Sequence, residues 1–354
     1  MQQRQFKTLL VTGGCGFIGA NFIRFVLMGS GFQGQIINVD KLTYAGNPEN
    51  LSDIVNQYNN RYHFVHADIC ESSTLENLFQ SFHIDAICHF AAESHVDRSI
   101  DRPDDFIRTN INGTFTLLEL ARKFQDQIVL FHHVSTDEVY GSLTTNGFFT
   151  EKTPYHPNSP YSASKAASDH LVNAYAHTYN LPITLSNCSN NYGPYQFPEK
   201  LIPLIILNAL SDKPLPIYGN GKNVRDWLYV LDHCKAIWTI MNHGSCGETY
   251  LIGGHNELQN IHVVEKICDV LDDILPKQNN PRRSLIQFVK DRPGHDFRYA
   301  IDCSKLNNEL NWYPSEDFET GIRKTIQWYM DHPQWVHHVQ TGEYKRWIET
   351  HYQL

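Results

Sequence analysis

The sequence predicts an α/β protein with a doubly wound parallel sheet joined to a second, smaller mixed α/β domain. Short aliphatic runs alternate with stretches of helical periodicity through the first 190 residues. Such alternation is typical of a parallel sheet covered by helices on both faces. Beyond that point turns, aromatic residues and prolines interrupt it. We therefore assign residues 1–190 to the sheet domain and residues 191–354 mainly to the second domain. The two are interleaved, with a return to the sheet expected near residues 226–245.

Composition narrows the classes of function. The chain has 354 residues, 41% of them hydrophobic and 19% charged, which is ordinary for a globular enzyme. Its formal charge of -9 argues against a nucleic-acid partner, because phosphate backbones favour basic surfaces. No apolar run approaches the roughly 18 residues that cross a bilayer, and the first residues lack the apolar core of a signal peptide. We expect a soluble, cytoplasmic protein with no membrane partner.

Cysteine and histidine do not indicate a metal site. The eight cysteines contain no Cys-x-x-Cys pair and fall mostly in or beside apolar segments, which favours buried, reduced thiols. The nineteen histidines do not pair at helical spacing next to a carboxylate, as a zinc site would require. We therefore expect no metal.

The first strand leads directly into a glycine turn. Residues Thr8–Thr12 form a short β-branched and aliphatic run, and Gly13, Gly16 and Gly19 follow it. Apolar residues then recur at helical intervals over Phe17–Met28. Strand, glycine turn and helix in this order predict a Rossmann-type site, in which free amides at the helix N-terminus bind a pyrophosphate.

The second strand, over residues 36–39, ends at an acid. Asp40 lies 21 positions after Gly19, where a dinucleotide-binding fold places the carboxylate that binds the adenosine ribose. A carboxylate there repels a 2′-phosphate, so the sequence favours NAD over NADP. The alternative is that Asp40 only caps the strand, and the preceding glycine turn argues for the cofactor role.

Two further units repeat the pattern. The third has a strand over Tyr62–His66, the dipeptide Asp68 and Ile69, and a helix over residues 73–82. The fourth has a strand over residues 86–90, followed by Ala91 and Ala92. Small residues at the C-terminal end of a parallel strand allow the backbone to approach a flat cofactor.

The fifth strand, residues 127–134, follows a long predicted helix over residues 104–122 and delivers Thr136, Asp137 and Glu138. A second reactive group begins the next helix, where Tyr161 precedes Lys165 by four residues, so both side chains project from one helix face. An ammonium group beside a phenol favours the phenolate, whose free pKa of about 10 is otherwise too high for a base at neutral pH.

Arginines in the second domain supply the local positive charge that the acidic chain otherwise lacks. Arg225 and Arg292 lie beside turn residues, and Lys200 stands near the domain boundary. Two guanidinium groups can clamp a diphosphate with bidentate hydrogen bonds. The alternative is that each pairs with its neighbouring aspartate on the surface. We favour the ligand role because both lie in predicted loops.

These motifs resemble the extended short-chain dehydrogenase/reductase family, which acts largely on nucleotide sugars. The likeness is closest to the dehydratases of that family. It is carried by residues 13–19, 40–47, 91–99, 135–141, 160–170, 187–194, 225–230 and 291–295. It implies cofactor contacts from Gly13, Gly16, Phe17, Ile18, Gly19, Asp40, Lys41, Asp68, Ile69, Ala91, Ala92, Tyr161 and Lys165. It implies substrate contacts from Ser94, Asn190, Glu199, Lys200, Arg225, Arg292 and His295.

The resemblance also implies a reaction, the dehydration of dTDP-glucose with an NAD that is retained and recycled. Tyr161 would take the C4 hydroxyl proton while hydride passes to NAD, and Thr136 would orient that hydroxyl. Glu138 would then act as the base at C5 and Asp137 as the acid at the C6 hydroxyl, after which hydride returns to C6.

Two structural predictions follow from this scheme. Asp137 must keep a proton at neutral pH, so burial or the neighbouring carboxylate must raise its pKa. Successive residues of a regular strand point in opposite directions, so a turn must begin at residues 136–138 if both carboxyl groups face the sugar.

Other interpretations stay open at this point. UDP-glucose could replace dTDP-glucose with the same reactive residues. A nucleotide-sugar 4-epimerase or decarboxylase would use Tyr161, Lys165 and NAD, but would not need Asp137 and Glu138. A non-catalytic NAD-binding protein would be marked by a lost glycine, tyrosine or lysine. Small residues in the helix over 162–179 favour close packing, and we expect a homodimer formed through the helices at 104–122 and 162–179.

Overall fold

A computed structural model of the chain describes residues 3–277, 280–291 and 294–342. The strands in chain order are β1 (Thr8–Thr12), β2 (Gln35–Asp40), β3 (Tyr62–His66), β4 (Ala86–His89), β5 (Leu130–Thr136), β6 (Ile183–Cys188), β7 (Asn190–Tyr192), β8 (Leu215–Tyr218), β9 (Val224–Tyr229), β10 (Thr249–Ile252), β11 (Glu257–Gln259) and β12 (Ile286–Val289).

The α-helices are α1 (Phe17–Met28), α2 (Ser52–Gln57), α3 (Ser72–Phe82), α4 (Val96–Asp101), α5 (Pro103–Phe106), α6 (Thr114–Lys123), α7 (Pro160–Tyr179), α8 (Leu201–Leu210), α9 (Val230–His243), α10 (Asn260–Ile274), α11 (Ser304–Leu310), α12 (Phe318–Asp331) and α13 (Pro333–Thr341). Short 3-10 turns occupy Pro48–Leu51, Gln125–Gln127, Asp137–Tyr140 and Arg282–Leu285, and Ile107–Gly113 is π-helical.

The main sheet has seven strands in the order β10-β6-β5-β4-β1-β2-β3, and neighbouring strands run parallel. The chain builds outward from β1 to β3 and then crosses back to β4, so the strand order reverses beside β1. Ligands of open α/β sheets bind at the C-terminal ends of the strands next to such a reversal. The predicted doubly wound parallel sheet is confirmed.

Helices cover both faces of this sheet, as the apolar periodicity predicts. On one face Phe22, Ile23 and Val26 of α1 are fully buried against the sheet, and α9 packs beside α1. On the other face α3, α6 and α7 share a second apolar cluster with the strands. These two layers hold the C-terminal ends of the strands in fixed positions.

The return of the chain to the main sheet differs from the prediction. Residues Val224–Tyr229 form β9, which joins β7 and β11 in a separate three-stranded sheet. The strand that rejoins the main sheet is β10, beside β6, and it lies beyond the predicted residues 226–245. The buried carboxylate of Asp226 accepts the backbone N–H groups of Gly254 and Asn256 and so anchors β9 to the loop after β10, outside the main sheet. The division at residue 190 stays a prediction.

The helix predicted over residues 104–122 is present as an unbroken helical run from α5 to α6, but it contains the π-helical segment Ile107–Gly113. Within it Asn110 uses its side chain to hold a neighbouring loop, since it accepts from the Glu93 N–H at 2.9 Å and donates to the Glu93 carbonyl at 3.0 Å. It also donates to Ser164 at 2.8 Å. Such π segments are frequent near functional sites, and this one braces the loop after β4.

The last described helix packs back onto the beginning of the fold. Trp335 of α13 is buried, and its indole N–H donates to Asn50 Oδ1 at 2.8 Å. The Asn50 amide in turn donates to the Cys15 carbonyl of the glycine turn at 2.9 Å. A chain of two hydrogen bonds therefore links the C-terminal helix to the turn after β1. Across the described ranges, none of the helices has both the length and the apolar surface that crossing a bilayer would take.

Candidate active site

Two adjoining cavities of about 320 and about 300 Å³ open at the C-terminal ends of the main-sheet strands. The first runs along the turns after β1, β2, β4 and β5. The second lies toward β8 and β9. The residues that line both cavities are Ser94, Glu138, Asn190, Asn191, Gln196, Glu199 and Lys200. Glu138 therefore stands where the two cavities meet.

The glycine turn has the shape that a dinucleotide requires. Gly13 has a φ of 71°, and a Cβ there would lie 2.7 Å from the backbone of Ala91. A Cβ on Gly19 would collide with the Gly13 carbonyl. The absence of side chains at these positions lets β1, α1 and the loop after β4 approach closely, and it leaves backbone facing the first cavity.

Asp40 lies at the end of β2 and lines the same cavity. Its two carboxylate oxygens accept backbone N–H groups from Cys15 at 2.9 Å and Leu42 at 2.8 Å. Each oxygen keeps a further lone pair for a ligand hydroxyl. Burial raises the pKa of Asp40, while these backbone hydrogen bonds lower it. The arrangement fits the ribose of NAD.

All of the residues predicted to contact the cofactor line the first cavity: Gly13, Gly16, Phe17, Ile18, Gly19, Asp40, Lys41, Asp68, Ile69, Ala91, Ala92, Tyr161 and Lys165. Within this set Lys41 forms an ion pair with Asp68 at 2.8 Å. Arg108, which the sequence did not indicate, approaches the same carboxylate at 3.1 Å. Lys41 and Arg108 together hold the Asp68 side chain in place after β3.

The reactive stretch turns where the sequence predicts. Strand β5 ends at Thr136, and a 3-10 turn begins at Asp137. The Thr136 hydroxyl accepts the Glu138 N–H at 3.3 Å and so caps this turn. Thr136, Asp137 and Glu138 all line the first cavity. The predicted turn is confirmed, and it places two successive carboxyl groups on the same side of the sheet.

Asp137 is the more deeply buried of the two carboxyl groups, with 1% of its surface exposed. Burial raises its pKa well above the ordinary value, and the nearby charges of Glu138 and Asp226 raise it further. Its Oδ2 atom has no hydrogen-bond partner among the described residues. The site therefore favours a protonated carboxyl with one oxygen available to a ligand, as the sequence predicts.

Helix α7 begins with Tyr161 in its first turn. Ser159 caps it through a reciprocal pair of hydrogen bonds with Ser162, which holds the tyrosine at the cavity. The predicted effect on its acidity is not seen, because burial and the Glu138 charge raise the pKa of Tyr161 well above 10.

Lys165 also lines the cavity, but its ammonium group turns back toward β5. It donates to the Val134 carbonyl at 2.9 Å and lies 3.4 Å from His133 Nε2. The four-residue spacing places both residues on one helix face, as predicted. The long lysine side chain then reaches the strand behind it.

The second cavity collects the predicted substrate residues. Those that line it are Ser94, Asn190, Glu199, Lys200, Arg225 and His295. Glu199 is also engaged with Tyr44, whose hydroxyl donates to it at 2.8 Å. His295 Nδ1 lies 2.6 Å from Asp291 Oδ1. Arg292 lies outside the described residues.

Arg225 is bound differently from the predicted diphosphate clamp. Its guanidinium donates to the backbone carbonyls of Val224 at 2.8 Å and Asp296 at 2.9 Å, and it stacks on the Tyr299 ring at 4.2 Å. These contacts use much of its hydrogen-bonding capacity to hold the segment around Asp296. Its share in binding a diphosphate stays a prediction.

Several polar residues of the second cavity were not predicted. Trp227 Nε1, Gln196 Oε1 and Asn260 Oδ1 are buried without hydrogen-bond partners in the described part of the chain. Buried polar groups are normally satisfied, so these atoms are available to a ligand. Trp227 lies within residues 225–230, one of the segments that carry the family resemblance. That position was the only indication in the sequence that it could contact a ligand. No group of three metal-ligating side chains was found in residues 3–277, 280–291 and 294–342.

Known proteins resemble this chain over most of its length. A family model described as GDP-mannose 4,6 dehydratase matches residues 10–325. The dTDP-glucose 4,6-dehydratase of Salmonella typhimurium is 55% identical over 361 aligned positions, which cover 98% of this chain and 99% of that relative.

Solved structures agree with the sequence relatives. The dTDP-glucose 4,6-dehydratase of Bacillus anthracis, solved in complex with NAD, is 47% identical with a TM-score of 0.84, covering 93% of this chain and 98% of its own. That of Streptomyces venezuelae, solved with NAD and a second ligand bound, is 44% identical with a TM-score of 0.87, covering 93% and 98% respectively.

Proposed function

Because the chain belongs to the GDP-mannose 4,6-dehydratase family, we propose that it converts dTDP-glucose to dTDP-4-keto-6-deoxyglucose with NAD as its cofactor. One observation carries the proposal: Asp137 and Glu138, adjacent in sequence, both line the cavity that Tyr161 lines. An enzyme that only oxidises and reduces a sugar hydroxyl needs the tyrosine and the lysine but no carboxyl pair. A carboxyl pair beside it allows a molecule of water to be eliminated.

NAD bound in the first cavity would supply a two-electron acceptor for sugar C4 and a donor for C6, and it would end each turnover unchanged. The glycine turn with Gly13 and Gly19 leaves room for its pyrophosphate. Asp40 is placed to accept a ribose hydroxyl. Tyr161 and Lys165 line the cavity where the sugar must meet the reactive ring.

Tyr161 acts as the base at C4. Its phenolate takes the proton of the C4 hydroxyl, and the Thr136 hydroxyl orients that group. Because burial and Glu138 raise the pKa of the phenol, a cation must stabilise the phenolate for this step to occur near neutral pH. Lys165, on the same helix face, is the cation that the chain offers.

The carboxyl pair acts at C5 and C6. A ketone at C4 acidifies the C5 hydrogen, and Glu138 removes it as a proton. Asp137 gives its own proton to the C6 hydroxyl, which leaves as water. The two groups are matched to opposite tasks because burial keeps Asp137 protonated, whereas Glu138 is less buried at the junction of the cavities.

The protons then have to be redistributed. Glu138 can return its proton to C5, but Tyr161 has gained the C4 hydroxyl proton and Asp137 has lost one to the departing water. Before the next turnover Tyr161 must release a proton and Asp137 must take one up. Both groups lie in the cavity that opens to solvent, which supports exchange through water.

The decisive experiment compares two nucleotide sugars. Purified protein is incubated separately with dTDP-glucose and UDP-glucose, and the products are identified by mass spectrometry and NMR. We expect a 4-keto-6-deoxy sugar, formed faster from dTDP-glucose. A faster reaction with UDP-glucose would reassign the nucleotide, and a C4 epimer with no loss of water would refute the dehydratase function.

We also propose that the protein works as a homodimer in the cytoplasm. Ile107 and Phe115, on the helical run before β5, are 48% and 46% exposed, and Tyr179 at the end of α7 is 38% exposed. A partner helix pair would cover them. All eight cysteines are free thiols, which fits a reducing compartment. Light scattering of the purified protein and of Phe115→Glu tests the dimer, and the variant should be monomeric.

A further inference from the structure

Lys165 lies in surroundings that make its charge costly. The side chain is 4% exposed, and its ammonium group donates to the Val134 carbonyl and lies beside His133. A buried ammonium group without a compensating charge tends to lose its proton. The proposed role of Lys165 as the cation beside Tyr161 therefore requires further stabilisation from the chain.

A histidine and a carboxylate lie directly behind it. His133 is fully buried on β5, and its Nε2 atom lies 3.4 Å from Lys165 Nζ and 3.2 Å from Asp169 Oδ1. Asp169 is one helical turn after Lys165 on α7 and is also fully buried. Lysine, imidazole and carboxylate thus form a compact cluster under the floor of the first cavity.

The geometry within this cluster shows which way His133 is directed. Nε2 is aligned for a hydrogen bond with Lys165, whereas Asp169 Oδ1 has no aligned hydrogen-bond partner among the described residues. His133 Nδ1 likewise has none. Burial and the Lys165 charge lower the pKa of His133, so the ring is neutral. With its proton on Nδ1, it presents the Nε2 lone pair to the ammonium group.

The other oxygen of Asp169 is fully used. Oδ2 accepts from Ser135 Oγ at 2.7 Å, Tyr155 OH at 3.0 Å and Asn187 Nδ2 at 3.2 Å. Three donors on one oxygen hold the carboxyl group in place and leave Oδ1 facing His133. The side chain is therefore a fixed negative charge close to Lys165.

We infer that His133 and Asp169 are positioning residues which keep the Lys165 ammonium group charged and hold it at the floor of the first cavity, behind Tyr161. His133 supplies the hydrogen-bond acceptor, and Asp169 supplies the balancing charge. Leaving the buried Nδ1 atom of His133 without a partner costs stability. The ring nevertheless keeps this orientation, which presents Nε2 to Lys165. The inference rests on the proposed function for the catalytic role of Lys165. The labelling experiment that tests it does not depend on that function.

The test measures the charge of Lys165 directly. Purified protein is trace-labelled with acetic anhydride at mildly alkaline pH, since only a neutral amine reacts, and the peptide carrying Lys165 is quantified by mass spectrometry against exposed Lys123. In Asp169→Asn the shape and the Oδ2 hydrogen bonds are kept while the charge is lost. Labelling of Lys165 should rise about tenfold for each unit by which its pKa falls.

Two substitutions of His133 distinguish a positioning role from a general disturbance of the core. His133→Leu removes the acceptor and should raise labelling, whereas His133→Gln retains an acceptor on a side chain of similar length and should restore much of the protection. His132→Gln is the matched control, because His132 is the neighbouring buried histidine of β5 but bonds to Thr184 and Ser186. Its labelling should match the wild type.

Kinetics give a second readout. Asp169→Asn should lower kcat for the nucleotide sugar by about tenfold or more, up to the roughly 10²–10⁴-fold that a general base contributes, with KM nearly unchanged. Unchanged labelling of Lys165 in Asp169→Asn, or an equal rise in His132→Gln, would overturn the inference. If the wild type converted neither nucleotide sugar, the proposed function would fail while the labelling still decided the role of His133 and Asp169.

Discussion

Replacing Asp137 by asparagine should stabilise the fold near neutral pH while it removes the general acid. The folded pKa of Asp137 is raised by burial and by Glu138, so the folded state binds a proton that the unfolded state has released. Stability that depends on this proton is complete below the unfolded pKa and is lost as the pH rises toward the folded pKa. Asparagine is neutral in both the folded and the unfolded state, so the variant does not have to bind a proton in order to fold near neutral pH.

The magnitude follows from two opposing effects. If Asp137 keeps its proton when folded, protonating a carboxyl of ordinary pKa near pH 7 costs about 4 kcal/mol, at about 1.36 kcal/mol per pH unit. In the variant, the asparagine NH₂ group would take the place of Oδ2, which has no hydrogen-bond partner among the described residues. Burying this unpaired donor costs about 1–3 kcal/mol of folding free energy. The variant should therefore be more stable by about 1–3 kcal/mol near pH 7.

The sign of the difference should reverse with pH. Below about pH 4 the aspartate is protonated in both states, so only the cost of the unpaired amide remains and the variant should be the less stable protein. Calorimetric melting of both proteins over this pH range, with matched NAD content because bound cofactor stabilises the fold, measures the crossover. A stability difference that did not vary with pH would show that Asp137 is not held in its protonated form by burial.

Other predictions concern single steps. Tyr161→Phe should abolish oxidation at C4 while nucleotide-sugar binding, measured by calorimetry, survives. Asp137→Asn with Glu138→Gln should leave that oxidation but slow water loss by about 10²–10⁴-fold for each group, so that reduced nicotinamide accumulates and can be followed by its absorbance; unimpeded elimination would refute the assigned roles. The wild-type kcat should fall at alkaline pH as Asp137 loses its proton through its raised pKa, and a rate that stayed level to high pH would contradict this. Gly13→Ala, whose Cβ would lie 2.7 Å from the Ala91 backbone, should yield protein with little bound NAD when its content is assayed.

The first half of the chain was predictable because one physical rule applies to it repeatedly. Each unit has a buried strand, a turn and a helix of clear periodicity, so the glycine turn, Asp40 and the carboxyl pair fall at strand ends by construction. The bend after Thr136 could be deduced as well, because two adjacent acids on a regular strand cannot face one ligand. These features are set by residues close together in sequence.

The features that were missed depend on distant partners. Strand β9 is anchored outside the main sheet by Asp226, which binds backbone N–H groups 28 and 30 residues further along the chain. The Arg225 guanidinium donates to the Asp296 carbonyl, 71 residues further along the chain, a contact that its sequence neighbours do not indicate. Lys165 turns toward β5 because His133 and Val134 lie there. Local patterns in sequence carry no information on such pairings.

The link from Trp335 through Asn50 to the Cys15 carbonyl has a consequence for synthesis of the protein. The glycine turn leaves the ribosome more than 300 residues before the helix that braces it, which spans Pro333–Thr341. We expect a nascent chain to form the sheet early and yet to hold NAD weakly until α13 has docked. Capture of the cofactor would then follow the docking of α13.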